Sequence, residues 1–428
     1  MTSILFISFA VLMVLNVPIA IVLGLSAVLG IVLTSSSLPL VVVAQRMFTA
    51  SDSFPLMAIP FFTLAGLLMD GGGISKRLIN VANKLLGSIH GGLGMVCILT
   101  CMFFAAISGS SAATVAAIGS IMIPAMVEAG YDRDFSAAVA ASAGSIGVII
   151  PPSIPMVTYG VVSGVSIGAL FLGGFGSGII VGLALMAVVY VTSKKRGYGG
   201  NAEKFSLKEL WKAVVDAIWA LLMPVIILGG IYGGIFTPTE AAAVAVAYSL
   251  IVGFFVYKEM KLKDIPRVFA NASVSTAVVM FIVATATVFG WILTSERIPD
   301  AIAAAILSVS QNPYIVLLMV NGLLLIVGCL METNAAILIL APIFLPLLIE
   351  LGIDPIFFGI VMVVNLAIGF FTPPVGVNLF VTCSICDISL GKLSRAVVPF
   401  VVAMILALLL ITYVPPISMF LPNLLMGR

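Results

Sequence analysis

Four short interruptions hold most of the polar chemistry in an otherwise apolar chain. Ser108-Gly109-Ser110-Ser111 and Glu332-Thr333-Asn334 lie at the centres of the apolar stretches 91–128 and 313–350. Pro151-Pro152 and Pro373-Pro374 break two more, with Gly144 to Gly147 and Leu366 to Gly369 just ahead of them. A proline pair donates no hydrogen bonds and frees the carbonyls before it, so each helix must unwind there. At membrane depth, unwound backbone survives only inside protein or along a cavity. Half-helix C-termini and freed carbonyls offer oxygen ligands to a hard cation such as Na⁺. Half-helix N-termini following Ser111 and Asn334 offer free N–H groups and positive dipole ends to a carboxylate. A single break would read as an ordinary packed kink. Four breaks related by a repeat point instead to a transport site near the bilayer midplane, with at least two cations.

Other chemistries lack material. The one histidine, His90, falls in a loop, so histidine triads and HExxH zinc sites are excluded, and no GxxxxGK[ST] loop exists to hydrolyse ATP. An ion gradient is the natural energy source. Glu332 is the one carboxylate well inside an apolar stretch, and it is expected to cap a helix rather than to neutralise a cation. Asp52, Glu240 and Asp300 are expected to be solvated, and Trp211, Trp219 and Trp291 to anchor span ends. Cys383-x-x-Cys386 has redox spacing but no thioredoxin-type surroundings. It reads, with Cys97, Cys101 and Cys329, as buried structural thiols.

The elements that position these breaks must be membrane helices. Of 428 residues, 62% are hydrophobic and 8% charged, with a mean hydropathy of +1.30. A soluble domain carries about 25% charged residues, so a soluble enzyme is excluded. The net charge of +2 leaves no basic block for nucleic acid. No Lys or Arg precedes the first apolar run, which argues against a cleaved secretory signal. Crossing a bilayer takes about 20 apolar helical residues. Spans are expected near 2–16, 17–34, 54–70, 134–167, 168–193, 213–237, 238–257, 268–294, 354–386 and 396–422, with Asn16-Val17-Pro18 a tight turn. The stretches 91–128 and 313–350 are either two crossings each or re-entrant hairpins.

An internal repeat organises the chain. An offset of 222 maps residues 121–152 onto 343–374 without a gap and with eleven identities, including both Pro-Pro pairs, Glu128/Glu350 and Asp132/Asp354. Each half then has five spans and one long stretch, so the halves are inverted. On that topology sixteen of the 19 Lys and Arg fall on one side, leaving Arg46, Arg297 and Arg428 on the other. This asymmetry puts both termini outside and the linker 194–212, with Lys204, inside. The expected fold is an all-α polytopic membrane protein of two inverted repeats, with ten spans, two re-entrant hairpins and two broken helices. Amphipathic helices at 74–87 and 297–310 are expected to lie in the interface, as arms or as plain anchors.

The chain resembles the large membrane subunit of the tripartite ATP-independent periplasmic (TRAP) transporters. The match rests on Phe61 to Gly73, Ser108 to Thr114, Ile149 to Ser153, Thr237-Pro238-Thr239-Glu240-Ala241-Ala242 and Thr372-Pro373-Pro374-Val375-Gly376-Val377-Asn378. The resemblance implies an inner-membrane, Na⁺-driven importer of an organic acid, without ATP. It also implies a small membrane subunit, expected on a separate chain, and a soluble periplasmic substrate-binding protein. Among organic acids it favours sialic acid over C4-dicarboxylates.

It implies an elevator as well. Scaffold helices 1–73 and 213–296, arms 74–90 and 297–312, and transport segments 91–167 and 313–386 make up the two halves. The last spans are 168–193 and 387–428. Carried over by motif, cation sites fall at Ser108, Ser110, Gly144, Gly147 and Pro152, and at Gly328, Met331, Thr333, Gly369 and Thr372. Substrate contacts fall at Ser111, Ser153, Asn334 and Asn378. A stand-alone Na⁺/dicarboxylate symporter and a channel remain the competing readings, with an intramembrane enzyme behind them for want of paired acids or a Ser-His set.

Overall fold

A computed structural model of the chain describes residues 1–34, 39–199 and 205–427. Lys204, Arg428 and residues 200–204 of the expected linker lie outside the described residues. Within them the chain is helical, with no strand. Seven helices are long and apolar enough to cross a membrane, or ten if each bent pair forms one span.

Helices Thr2–Val14 and Ile19–Leu33 pack on each other, joined at Asn16, which takes φ +58°, a left-handed conformation that asparagine tolerates. The second of these packs on the long helix Ile265–Ser295. Helix Pro238–Ile251 starts with a reciprocal cap. Thr237 Oγ1 accepts from Glu240 N (3.3 Å), and the Glu240 carboxylate accepts from Thr237 N (2.8 Å). Glu240 therefore does more than face water: the Thr-Pro-Thr-Glu motif is a helix start, with proline where its missing N–H costs nothing.

The repeat is visible in the helix bounds. Ser111–Glu128 and Thr333–Glu350 are offset by 222 at both ends. The expected span 134–167 is broken into Arg133–Gly144, a 3₁₀ turn Ser145–Val148 and Ile154–Ser163. Its mate 354–386 is broken into Pro355–Gly369 and Val377–Cys386. Every residue from Ile356 to Gly369 and from Phe135 to Gly144 is buried. These two helices are the centre of the fold, as helices without a polar face must be.

The first hairpin returns to the side from which it starts. At its entry Gly91 N donates to Tyr198 O (3.2 Å). At its exit Tyr131 stacks on Tyr198 with ring centroids 4.5 Å apart, and Arg196 pairs with Asp132 at 2.7 Å. Both ends thus meet the segment 196–198, while the tip meets the Pro151-Pro152 break.

Three features depart from the sequence reading. Val41–Ser51 is a separate helix, too short and polar to register as a span. The chain bends by 64° between Leu207–Asp216 and Ile218–Tyr232, so the expected span 213–237 begins inside a separate helix that carries Lys208, Glu209, Lys212 and Asp216. The last span bends by 49° between Val398–Tyr413 and Pro416–Met426, at Pro415-Pro416.

The first arm, Ile74–Leu86, buries Ile74, Leu78, Val81 and Ala82. Its polar face is tied down: Arg77 stacks on Tyr257 (3.8 Å) and pairs with Glu259 (2.7 Å), and Lys84 pairs with Glu209 (3.0 Å). The second arm, Ile298–Val309, packs on Thr333–Glu350 and fully buries only Pro299.

Candidate functional site

The first hairpin tip is built from short polar side chains. Helix Gly92–Ser108 ends at Gly109, in the left-handed region at φ +61°. A Cβ there would also lie 2.7 Å from the Pro152 carbonyl, so both backbone and space require glycine. Ser110 then caps the next helix, accepting from Ala113 N (3.4 Å). Thr114, one turn on, donates to Ser110 O (2.7 Å) and lies 3.0 Å from Ser108 Oγ. Gly147 faces this group: a Cβ on it would lie 2.5 Å from Thr114 Oγ1 and 2.6 Å from Ser110 O. Gly144 lies alongside, where a Cβ would be 3.3 Å from Ser111 O. Ile154 N donates to Gly109 O (3.4 Å), stitching the tip to the break. The result is a compact cradle of hydroxyl and carbonyl oxygens, a donor set suited to a hard cation.

The second tip repeats the plan with different side chains. Glu332 caps helix Thr333–Glu350, accepting from Ala335 N (3.0 Å) and from Asn334 Nδ2 (2.7 Å). The expected cap is present. A Cβ on Gly369 would collide with the Gly328 carbonyl, so the two backbones meet directly. Val375 N donates to Cys329 O (3.2 Å), which joins this tip to its break as the Ile154 bond joins the first, though between different repeat positions. Gly328, Met331, Glu332, Thr333 and Gly369 line one cavity of about 40 Å³. Thr372 sits at the edge of this group, its hydroxyl donating back to Ile368 O (2.6 Å).

Each tip also reaches the other half. Ser111 donates to Asn378 Oδ1 (2.9 Å), and Asn378 Nδ2 donates to Ala141 O (2.8 Å). Reciprocally, Thr158, just past the first break, donates to Asn334 Oδ1 (3.0 Å). All of these side chains are buried. Each tip thus bonds to the helix beyond the other half's break, although the two pairs are not repeat mates: Ser111 and Asn378 map onto Thr333 and Met156.

The two breaks differ in exposure. Pro151, Pro152 and Ser153 are buried, whereas Pro373, Pro374 and Val375 are exposed. Thr158 also lines a larger cavity of about 460 Å³. One wall comes from Val41–Ser51 and Ile265–Ser295, the other from Ile154–Ser163 and Thr333–Glu350. At its mouth the Arg46 guanidinium lies 4.7 Å from the centre of the Trp291 ring.

The structure thus gathers Ser108, Ser110, Gly144, Gly147 and Pro152 around one tip, and Gly328, Met331, Thr333 and Gly369 around the other. Ser111 and Asn378 form one cross-half pair, and Asn334 joins a second. Ser153 stands apart: its hydroxyl donates to Val148 O (2.5 Å) and accepts from Met156 N (3.3 Å), so it caps Ile154–Ser163. The sequence reading did not single out Thr114 or Thr158, and it read Arg46 only as an outer-side cation and Trp291 as a span-end anchor. Thr114 had a signal, since four residues after Ser110 on a helix is one turn. The five cysteines are free thiols, with Cys97, Cys101 and Cys386 buried and Cys329 and Cys383 half-buried.

Comparison with known proteins agrees with this architecture. A family model described as "Tripartite ATP-independent periplasmic transporter, DctM component" matches residues 6–417. The chain is 54% identical over 412 residues to the isethionate TRAP transporter permease protein DctMQ of Oleidesulfovibrio alaskensis, covering 96% of this chain but 65% of that one. It is 47% identical over 401 residues to the C4-dicarboxylate TRAP transporter large permease protein DctM of Pseudomonas aeruginosa, covering 94% and 93%. It is 42% identical over 384 residues to the sialic acid TRAP transporter large permease protein SiaM of Vibrio cholerae, covering 90% of each. Among solved structures, the Alcanivorax borkumensis YdaH transporter has the same fold, with TM-score 0.64 and 16% identity over 87% of this chain and 86% of that one. The chain belongs to the DctM-component family of the tripartite ATP-independent periplasmic transporters.

Proposed function

We propose that this large TRAP membrane subunit imports a small organic anion across the bacterial inner membrane, driven by Na⁺. The anion is delivered by a periplasmic binding protein, and a small membrane subunit completes the complex. The observation that carries the reading is the reciprocal pairing of Ser111 with Asn378 and of Thr158 with Asn334. Each hairpin tip is bonded to the other half beside a helix break, so one ligand between them would touch both halves.

Two Na⁺ ions are assigned to the tips. Ser108 Oγ, Ser110 O and Thr114 Oγ1 would hold the first, and the carbonyls around Gly328 and Gly369, with Thr333, the second. Thr372 stands next to the second position. Bound there, the cations would draw each tip onto its break and offset the charge of an entering anion. Segments 91–167 and 313–386 would then move as one body against the scaffold 1–73 and 213–296, with the arms as levers. Support for that division comes from the 460 Å³ cavity, whose two walls belong to these two sets. The charge asymmetry of the sequence supports termini on the periplasmic side.

The substrate reading is an organic anion rather than sialic acid alone. The two relatives of higher identity are named for isethionate and C4-dicarboxylate, and the sialic acid relative is less similar. All three names describe oxyanions. The test is reconstitution with both partners in proteoliposomes, measuring uptake of labelled isethionate, succinate and N-acetylneuraminate. Uptake of one of them that needs both an inward Na⁺ gradient and the binding protein supports the reading. Uptake without the binding protein, or without Na⁺, contradicts it.

A further inference from the structure

The cavity between the two walls has one charged residue among the described residues that line it, Arg46. An oxyanion leaving water for a largely apolar cleft must find a countercharge or hydrogen-bond donors there. Arg46 carries both. Its guanidinium lies over Trp291 at 4.7 Å, a cation–π contact that holds one face of the group and leaves its N–H edge free. No carboxylate among the described residues pairs with it. An unpaired guanidinium with a free edge matches a carboxylate or sulfonate bidentately.

The rest of the lining fits the same ligand. Thr49, Thr287 and Thr294 turn their hydroxyl protons back onto the carbonyls of Gln45, Val283 and Gly290, which leaves Arg46 as the strong donor, and Thr158 leads to the Asn334 pair at the second hairpin tip. A volume of about 460 Å³ lies within the size of small-ligand sites, about 300–1,000 Å³.

We propose that Arg46, held against Trp291, is the residue that recognises the carboxylate or sulfonate of the transported anion at the mouth of this cavity. The assignment rests on the transport reading above, whose uptake assay is run on the unaltered chain in parallel. Anion capture at Arg46 precedes transfer toward Thr158 and Asn334, and it gives the site its preference for anions over neutral analogues.

The test separates anion binding from docking of the binding protein. Thr49→Cys, on the same cavity wall, is introduced after replacing the native cysteines by serine. Its labelling by an impermeant maleimide is followed against rising isethionate, succinate or N-acetylneuraminate, with no binding protein present. Three backgrounds are compared: Arg46, Arg46→Lys and Arg46→Gln, each checked for monodisperse elution with the small subunit. With Arg46 the transported anion slows labelling. In Arg46→Gln the half-protecting concentration rises about 10- to 100-fold, the loss expected for one charge-assisted hydrogen-bonded contact, and Arg46→Lys recovers part of it.

Equal protection in Arg46 and Arg46→Gln overturns the assignment, and if uptake is lost at the same time Arg46 is a docking residue. Uptake by the unaltered chain without any protection at Thr49→Cys also overturns it, while leaving the transport reading standing. No uptake of any of the three anions by the unaltered chain defeats the transport reading itself.

Discussion

The Ser111 hydroxyl donates to Asn378 Oδ1 across 2.9 Å, joining the first hairpin tip to the second half's helix just past its proline break. The same Asn378 side chain satisfies the Ala141 carbonyl at 2.8 Å, so one amide closes two contacts in a buried place. Removing it strands a hydroxyl and a carbonyl from water and from each other.

Asn378→Ala is therefore expected to lower the melting temperature of the purified protein and to abolish uptake. A buried polar group left without a partner costs about 1–3 kcal/mol. Thermal unfolding in detergent and uptake in proteoliposomes read the two effects. Unchanged melting and transport would remove the cross-half contact from the account.

Gly147→Ala places a methyl group 2.5 Å from Thr114 Oγ1 and 2.6 Å from Ser110 O, inside the oxygen cradle. Uptake is expected to fall more than about tenfold, from crowding in a close-packed interior. Na⁺-dependent stabilisation should fall with it. Gly229→Ala, with nothing within 4 Å of the added carbon, serves as the control and should leave uptake unchanged. Equal behaviour of the two variants would argue against a cation at the first tip.

Thr114→Val removes a hydroxyl while keeping the shape, and Thr114→Ser keeps the hydroxyl. A concentration series in Na⁺ should show half-saturation raised about tenfold in Thr114→Val, consistent with one lost ligand contact. Thr114→Ser should stay near the unaltered chain. The reverse order would mean that the methyl packing matters and the oxygen does not.

The breaks were legible in the sequence because proline pairs, the apolar ruler and the 222-residue repeat all act locally or along the chain. The ends of Ser111–Glu128 and Thr333–Glu350 fall on that offset for the same reason. What could not be read was which break meets which tip. Ser111 and Asn378 are 267 residues apart, and Thr158 and Asn334 are 176 apart, with no periodicity linking them. Thr158 also has Phe380 as its repeat mate, so the repeat itself gave no hint. Helix Val41–Ser51 escaped because Gln45, Arg46, Thr49 and Ser51 dilute its apolar face. Arg46 then reads as one of three outside cations, with Arg297 and Arg428, rather than as a cavity residue.

The helix start at Thr237 is a reciprocal cap, and its loss is expected to be separable from transport. Thr237→Ala should cost about 1 kcal/mol by loss of the cap, seen as a lower melting temperature. The substrate concentration giving half-maximal uptake should not move. A change in that concentration would give the motif a role in binding.

Glu128 and Glu350 are repeat mates at the exposed ends of the two hairpins. Inverted halves predict that Glu128→Cys labels only from the cytoplasmic side and Glu350→Cys only from the periplasmic side. Both labelling from one side would break the inverted arrangement.

The central claim is that the hairpin tips form one anion site whose occupancy needs Na⁺. Ala112, next to Ser111, is half-buried at the first tip and gives a direct reporter. With the native cysteines replaced by serine, maleimide labelling of Ala112→Cys should be slowed by the transported anion in Na⁺ and left unaffected by the same anion in K⁺. Equal protection in both salts, or none in either, would contradict the account.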